Sequence, residues 1–340
     1  MKPGLSTRDI AVIVQGPLKD GEVNIAARAL RSVLEHLPDA QVILSTHDDI
    51  EGLHFEGVLV VQAQPARQFT DVNGNQNNVN KLISSMASGL AQVDREFCIK
   101  LRTDHVLSSA AIVDCLDSVE REAAEARLFS SRVCVSNLFL RNPCKVPYLF
   151  HLTDTVQFGR TRDLRTLWNI QPISDSVLFL KGGARINPLG TFQGYTSFRL
   201  LPEQAIFLQF AQKQGLQLDL EHISHTSFEL FNAWEELLAS NFEVFDWQNL
   251  GILPPKRFLT APYSPGSLMT RDDLQMLRTG RSPLARALRY GDLLINKYLL
   301  CWFSRRWLVS VASLLLFSFS SELAVGARDF YRRLTGASRT

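Results

Sequence analysis

The chain reads as an α/β fold: a mixed, mostly parallel sheet with helices on both faces. Three observations predict it. Short apolar runs alternate with stretches of helical periodicity through the first half of the chain. Several runs stop abruptly at polar turns. One of them, Phe97-Cys98-Ile99 with Leu101 just beyond, is apolar on consecutive positions, as a strand covered on both faces is, although periodicity alone leaves a helix segment open.

Taken in order, Ile10–Val14 is a β-rich run ended by the turn residues Gln15-Gly16-Pro17. From Glu22 to Leu37, Val23, Ala26, Ala27, Leu30, Val33, Leu34 and Leu37 recur at helical spacing. Pro38 stops that helix. Val42–Leu44 is a second strand, running into Ser45-Thr46-His47-Asp48-Asp49, and Gly57–Val61 is a third. This β-α-β-β order favours a parallel sheet. Gln64 to Asn80 is a long polar loop, of the kind that is often functional. It leads into a helix at Lys81–Leu90, where Asn77, Asn78 and Asn80 suit an N-cap or hydrogen bonds to a sugar. After Phe97–Leu101 come a helix at Ser109–Arg127 and a strand at Arg132–Asn137. Phe158-Gly159-Arg160 reads as a turn before a short helix at Asp163–Trp168. Ser174–Gly194 reads as irregular, with Lys181-Gly182-Gly183 and Asn187-Pro188-Leu189-Gly190 on the acceptor side. Pro202-Glu203 opens a helix through Lys213; Phe228–Leu238 is helical and Glu243–Trp247 is a last strand.

Composition narrows the class. The chain has 340 residues, 46% apolar and 21% charged, enough for one large domain or two smaller ones. A net charge of +2 without a concentrated basic face argues against nucleic acid as a partner. Cys98, Cys115, Cys134, Cys144 and Cys301 form no C-x-x-C pair, which argues against a zinc site and a disulfide framework and suits a reducing cytosol. The opening MKPGLSTRD carries no apolar signal region. No G-x-G-x-x-G or Walker GK[ST] element follows a strand, so dinucleotide and NTP-hydrolase readings lack support.

The candidate chemistry sits at strand ends, where ligands bind in open α/β sheets. Asp104, after Arg102-Thr103, can reach a divalent metal, with His105 as a second ligand or hydrogen-bond donor; the alternative is a strand-end Asp that caps the next helix. His151 and Asp154 place an imidazole and a carboxylate close together, and either can act as a base; Asp154 can also serve a turn. Glu203 is a second candidate base, or an acid compensating a helix dipole. His222 and His225 lack a third ligand and read as a surface turn.

Gln15-Gly16-Pro17, Ile43-Leu44-Ser45-Thr46, Asn77-Asn78-Val79-Asn80-Lys81 and Lys100-Leu101-Arg102-Thr103-Asp104 occur in that order. Phe150-His151-Leu152-Thr153-Asp154, Phe158-Gly159 and Pro202-Glu203-Gln204 follow. This ordered set resembles the WavE family of lipopolysaccharide-synthesis proteins, over about residues 9–260. The resemblance implies a GT-A-like (Rossmann-like) glycosyltransferase. Its donor would be a nucleotide-sugar and its acceptor a lipopolysaccharide-core, capsule or other surface glycan or glycolipid. The implied donor-site residues are Gln15, Gly16, Pro17, Ser45, Thr46, Asn78, Lys81 and Arg102. A divalent Mn or Mg would sit at Asp104 and His105, and Asp154, Glu203 and His151 are the implied catalytic candidates. The chain departs from the GT-A pattern at Arg102-Thr103-Asp104, which has one carboxylate where GT-A enzymes have a D-x-D pair. The leaving diphosphate can be met by a metal, by Arg102 or by Lys81. The competing reading is a non-catalytic nucleotide-sugar-binding or scaffold protein.

The expected layout is a GT-A-like domain at 1–260, with a nucleotide-sugar half at 9–106 and an acceptor half at 107–260. A linker at 261–280 and a helical tail at 281–340 follow. In the tail, Trp307–Ser321 is uncharged but serine-rich and flanked by arginines. A helix lying in a membrane interface fits this pattern, and so does a buried core or dimer helix. The expected location is the cytoplasm, peripheral on the inner-membrane face.

Overall fold

The computed structural model describes residues 4–70, 76–122, 126–180, 198–260, 265–303 and 305–320, with 322–324, 326–327, 330 and 333 beyond them. The expected features at Lys181-Gly182-Gly183 and Asn187–Gly190 lie outside the described residues.

One seven-stranded sheet organises the molecule. Its strands are β1 (Ile10–Gln15), β2 (Gln41–Thr46), β3 (Val58–Gln62), β4 (Phe97–Arg102), β5 (Val133–Ser136), β6 (Gln157–Arg160) and β7 (Phe242–Phe245). Their spatial order is β7-β5-β6-β4-β1-β2-β3. β1 pairs in parallel with β2 and β4, β2 with β3, and β5 with β7. Only β6 runs against its neighbours, pairing Gln157 with Lys100 on one side and with Val135 on the other.

Helices cover both faces. α1 (Ile25–His36) and α3 (Ala111–Glu122) lie on one side. α2 (Val79–Ala91), α4 (Thr161–Trp168), α5 (Pro202–Lys213) and α6 (Phe228–Asn241) lie on the other. The strands feed both cores by alternation: Ile10, Val12 and Val14 pack with Leu30, Val33 and Leu116, whereas Ala11 and Ile13 pack with Ile83 and Met86. This is the period-2 consequence of a pleated strand buried on both sides. α2 sits close to the sheet because Gly89 faces Ile13; a Cβ there would lie 2.8 Å from Ile13 Cγ2.

Phe158-Gly159-Arg160, expected as a turn, is strand β6. It is short and carries a glycine at φ 155°, so it lacks the β-branched run that marks the other strands. The caps also differ from expectation. Asn78 precedes α2 without a side-chain cap bond; Asn77 Oδ1 accepts from the Val79 N–H at 3.0 Å.

The stretch 261–280, expected as a linker, contains α7 (Arg271–Thr279), whose Leu274 is buried in the core. Within the expected tail, α8 (Pro283–Tyr298) packs on α6. Arg289 makes a bidentate pair with Glu235, at 2.7 Å through both Nε and Nη2. Tyr290 meets the rings of Phe228 and Phe231, Leu293 is fully buried, and Lys297 Nζ donates to Ser224 O at 2.7 Å. α9 (Arg305–Phe319) follows. No helix among the described residues is long and apolar enough to cross a membrane.

Candidate functional site

Six strands point their carboxyl ends to one edge of the sheet, and the antiparallel β6 sends its amino end there too. That direction decides which residues meet. The turns after β1 and β4 supply Gln15-Gly16-Pro17 and Arg102-Thr103-Asp104; the residues entering β6 supply Asp154. Together with Asn77, Asn78 and Val79 at the start of α2, and Pro202 and Glu203 at the start of α5, they line a cavity of about 480 Å³. That size is within the usual range for small-ligand sites.

Gly16 makes the first turn possible. Its φ is 141°, and a Cβ would lie 2.5 Å from Thr103 Oγ1. Only glycine lets the two turns approach this closely. They are tied by the Thr103 N–H donating to Gln15 O at 3.0 Å, and the Gly16 N–H donates to Ser45 O at 3.2 Å. The Gln15 side chain donates to Ser85 Oγ and Leu82 O on α2, while its buried Oε1 has no partner among the described residues.

Asp104 is surrounded by donors. Oδ1 accepts from Arg102 Nε at 3.0 Å and lies 2.7 Å from His105 Nδ1. Oδ2 accepts from Arg102 Nη2 at 3.1 Å and from Arg257 Nη2. Burial works to raise its pKa, but the His105 hydrogen bond and the Arg102 guanidinium hold the carboxyl well below the usual carboxylate range. His105 is fully buried against Phe258, and its desolvation favours the neutral imidazole.

This arrangement does not fit a metal site. An ionised carboxylate offers about four lone-pair positions, and four N–H groups point at those of Asp104, counting a protonated His105 Nδ1. No group of three or more His, Cys, Asp or Glu among the described residues is placed to hold a metal ion.

The opposite wall carries the other carboxylates. Asp154 Oδ2 lies 4.0 Å from Arg102 Nη1, and its backbone carbonyl accepts from Lys100 Nζ. Lys100 is fully buried in the middle of β4 beside the Trp168 ring, and desolvation lowers it to about 8. Burial, with the Asp154 charge added, raises Glu203 to about 8. Its Oε2 is 3.7 Å from His151 Nε2. His151 is itself fully buried, neither ring nitrogen has a hydrogen-bond partner among the described residues, and burial followed by the Arg141 charge lowers it to about 3. Phe150, beside it in sequence, and Phe139, whose ring is edge-on to it at 4.8 Å, have φ of 57° and 64°. Such backbone costs roughly 1–3 kcal/mol per residue and clusters at functional sites.

The structure therefore brings together Gln15, Gly16, Pro17, Asn78, Arg102, Asp104, Asp154 and Glu203 around one cavity. It does not bring Ser45, Thr46, Lys81, His105 or His151 to that lining. Ser45 Oγ donates to Ser85 O at 2.7 Å, and Thr46 Oγ1 accepts from the Asp48 N–H at 3.1 Å, so both hydroxyls serve the fold. Lys81 lines a different cavity with His47, Gln62 and Gln64. The sequence reading missed Lys19, Asp20 and Arg257, which also line the site. Lys19 and Asp20 belong to a small hairpin with Val23–Asn24, signalled only by Gly21. Arg257 arrives from 153 residues beyond Asp104, and nothing local announces it.

Comparison with known proteins places the chain. The family model for WavE lipopolysaccharide synthesis matches residues 10–303. The chain belongs to the WavE family. A search of curated proteins found no match. Among solved structures, this WavE protein is similar to 4-diphosphocytidyl-2C-methyl-D-erythritol synthase from Anaerococcus prevotii DSM 20548. The identity is 11%, the TM-score is 0.29, and 49% of this chain and 79% of that chain are covered. It is also similar to a cytidylyltransferase from Leptospira borgpetersenii serovar Hardjo-bovis (strain JB197), at 14% identity and a TM-score of 0.31. That likeness covers 48% of this chain and 66% of the other, just under two thirds.

Proposed function

We propose that this WavE-family protein is a GT-A-type glycosyltransferase. It would move a sugar from a nucleotide-sugar to a lipopolysaccharide-core, capsule or other surface-glycan acceptor. The observation that carries the reading is the cavity itself. Guanidinium groups of Arg102 and Arg257 line the same space as the carboxylates of Asp154 and Glu203. Transfer of a glycosyl group needs both kinds of group. As the acceptor oxygen bonds to the anomeric carbon, the bond to the diphosphate breaks and its electron pair leaves with the phosphate oxygen. Cations beside that oxygen stabilise the charge, and a carboxylate accepts the acceptor's hydroxyl proton. Glu203, raised to about 8, is tuned closer to neutral pH than an ordinary carboxylate and is the better base by that criterion. Asp154 stays beside Arg102. Gln15 and Asn78, which line the cavity, would supply amide groups to the nucleoside or the sugar.

A glycolipid acceptor calls for a protein held at the membrane surface, and α8 supports that extension. Leu284, Leu288, Ile295 and Tyr298, with Trp302 just beyond the helix, follow at gaps of four, seven, three and four residues and are all at least 46% exposed, while Leu293 and Lys297 on the other side are buried. The outward stripe is apolar where a soluble helix is usually polar. Residues 281–340 carry ten Lys and Arg against three Asp and Glu, whereas residues 1–280 carry 26 against 31. A basic, apolar face on an acidic body suits an anionic bilayer, here assigned to the cytoplasmic leaflet.

The test is incubation with a panel of nucleotide-sugars and lipopolysaccharide-core acceptors, reading release of nucleoside diphosphate. Asp154→Asn and Glu203→Gln are run beside the wild type, and donor binding is measured separately. Saturable donor binding with no release under any acceptor condition favours the non-catalytic, nucleotide-sugar-binding alternative. Absence of donor binding sinks both.

A further inference from the structure

We propose that Arg102 and Arg257 form a two-guanidinium clamp that binds the donor's diphosphate without a metal ion, with Asp104 as the anion that holds the pair in place. The inference rests on the donor-site reading above and names how that site recognises its ligand.

The geometry excludes a ligand role for Asp104 in this arrangement and supplies another. Arg102 grips Asp104 through a fork of two hydrogen bonds, at 3.0 and 3.1 Å. Arg257 reaches the same Oδ2 from residues 256–259. The two guanidinium carbons lie 5.6 and 5.4 Å from the centre of the Phe258 ring. One carboxylate and one aromatic ring thus fix two long cationic side chains that would otherwise lose much rotamer freedom on binding. A divalent cation entering here would have to displace N–H donors from Asp104 and sit beside two guanidinium charges.

The clamp keeps unused capacity. A guanidinium has five N–H donors. Arg102 spends two on Asp104, and among the described residues its Nη1 has only the Asp154 carboxylate at 4.0 Å. Arg257 spends one on Asp104 and reaches Asp20 only at 3.9 Å through Nη1. With Asp104 subtracted, the pair carries one net positive charge; the whole lining sets Lys19, Arg102 and Arg257 against Asp20, Asp104, Asp154 and Glu203, so the fork geometry, not an excess of positive charge in the cavity, is what selects a phosphate. Planar forks of this kind match phosphate oxygens in pairs, which a lone ammonium does not. A diphosphate is the part of a nucleotide-sugar with that charge and that geometry.

The experiment is a binding titration of the full chain with UDP, CDP, GDP and ADP and with the matching nucleosides. Each is measured in EDTA and again with millimolar Mn²⁺ or Mg²⁺. The clamp requires that the tightest-binding diphosphate keep its affinity within about two-fold in EDTA. Arg257→Ala should weaken that diphosphate about 10- to 100-fold and leave the matching nucleoside unchanged. Arg257→Lys should recover only part of the loss, since it restores charge without the fork. Asp104→Asn should also weaken the diphosphate selectively, as a positioning residue, and should not create or abolish a metal response. The proposal is overturned if metal tightens the wild type more than ten-fold, or if a folded Arg257→Ala binds diphosphate normally. Should no nucleotide bind under any condition, the donor-site reading falls and takes the clamp with it. Nucleotide binding that survives Arg257→Ala removes the clamp alone.

Discussion

Replacing Glu203 with Gln is expected to flatten one limb of the protein's pH–stability curve. Burial and the nearby Asp154 charge raise this carboxyl from 4.5 to about 8 in the fold. In the unfolded chain it ionises near 4.5. Between those values the native state binds one proton more than the unfolded state, so stability falls as pH rises through the window and levels off above about 8. Each unit of displacement corresponds to about 1.4 kcal/mol, which sets an upper bound of about 5 kcal/mol across the window. The side chain is 14% exposed toward the cavity, and solvent there screens part of the effect, so about 2–4 kcal/mol is expected. Gln is close in size and has no proton to lose. Urea unfolding of wild type and Glu203→Gln at pH 5, 6, 7, 8 and 9 reads the difference directly. The wild type should lose stability relative to the variant between pH 5 and 8, and the two should run parallel from 8 to 9. Parallel curves over the whole range would falsify the raised ionisation. They would also remove the reason for preferring Glu203 over Asp154 as the base. In steady-state assays the same group should give kcat/KM an ascending limb toward pH 8 that Glu203→Gln lacks, together with a loss of about 100-fold or more in rate.

Other outcomes follow from the same geometry. Gly16→Ala should destabilise the fold by about 2–3 kcal/mol in chemical denaturation, because φ of 141° is strained for alanine and its Cβ meets Thr103 Oγ1; an unchanged midpoint would count against the close approach of the two turns. Arg289→Ala leaves Glu235 buried without its bidentate partner, so a loss of about 3–5 kcal/mol is expected, and a loss under 1 kcal/mol would mean that α8 docks through its apolar contacts alone. A chain ending at Phe303 keeps α8 and should stay folded with intact nucleotide binding, whereas one ending at Gly280 should melt earlier for want of Leu293 and Arg289. In flotation with phosphatidylglycerol-containing vesicles, the full chain should bind and be released by salt; binding only to itself, read as a concentration-dependent dimer by sedimentation, would assign the outward stripe of α8 to a second copy.

The fold class was legible from residues 10–102 because the signal there is local. The apolar runs Ile10–Val14 and Phe97-Cys98-Ile99, each short and followed within a few residues by a polar turn, fit strands buried on both faces better than helices, which need more residues. Glycine after the first strand and Arg-Thr-Asp after the fourth marked the sheet edge, and both line the cavity. Tertiary structure alone decided the rest. β6 carries a weak local signal, and its antiparallel direction is set by pairing between β4 and β5; that direction is what delivers Asp154 to the site. Ser45 and Thr46 stand at a strand end as Gln15 does, yet their hydroxyls turn into α2 and the following turn, a choice made by packing. At Asp104 the sequence shows one strand-end carboxylate and not the guanidinium that reaches it from Arg257. Charge partners remote in sequence are invisible to local pattern, since an ion pair depends on distance through space and leaves no periodicity along the chain.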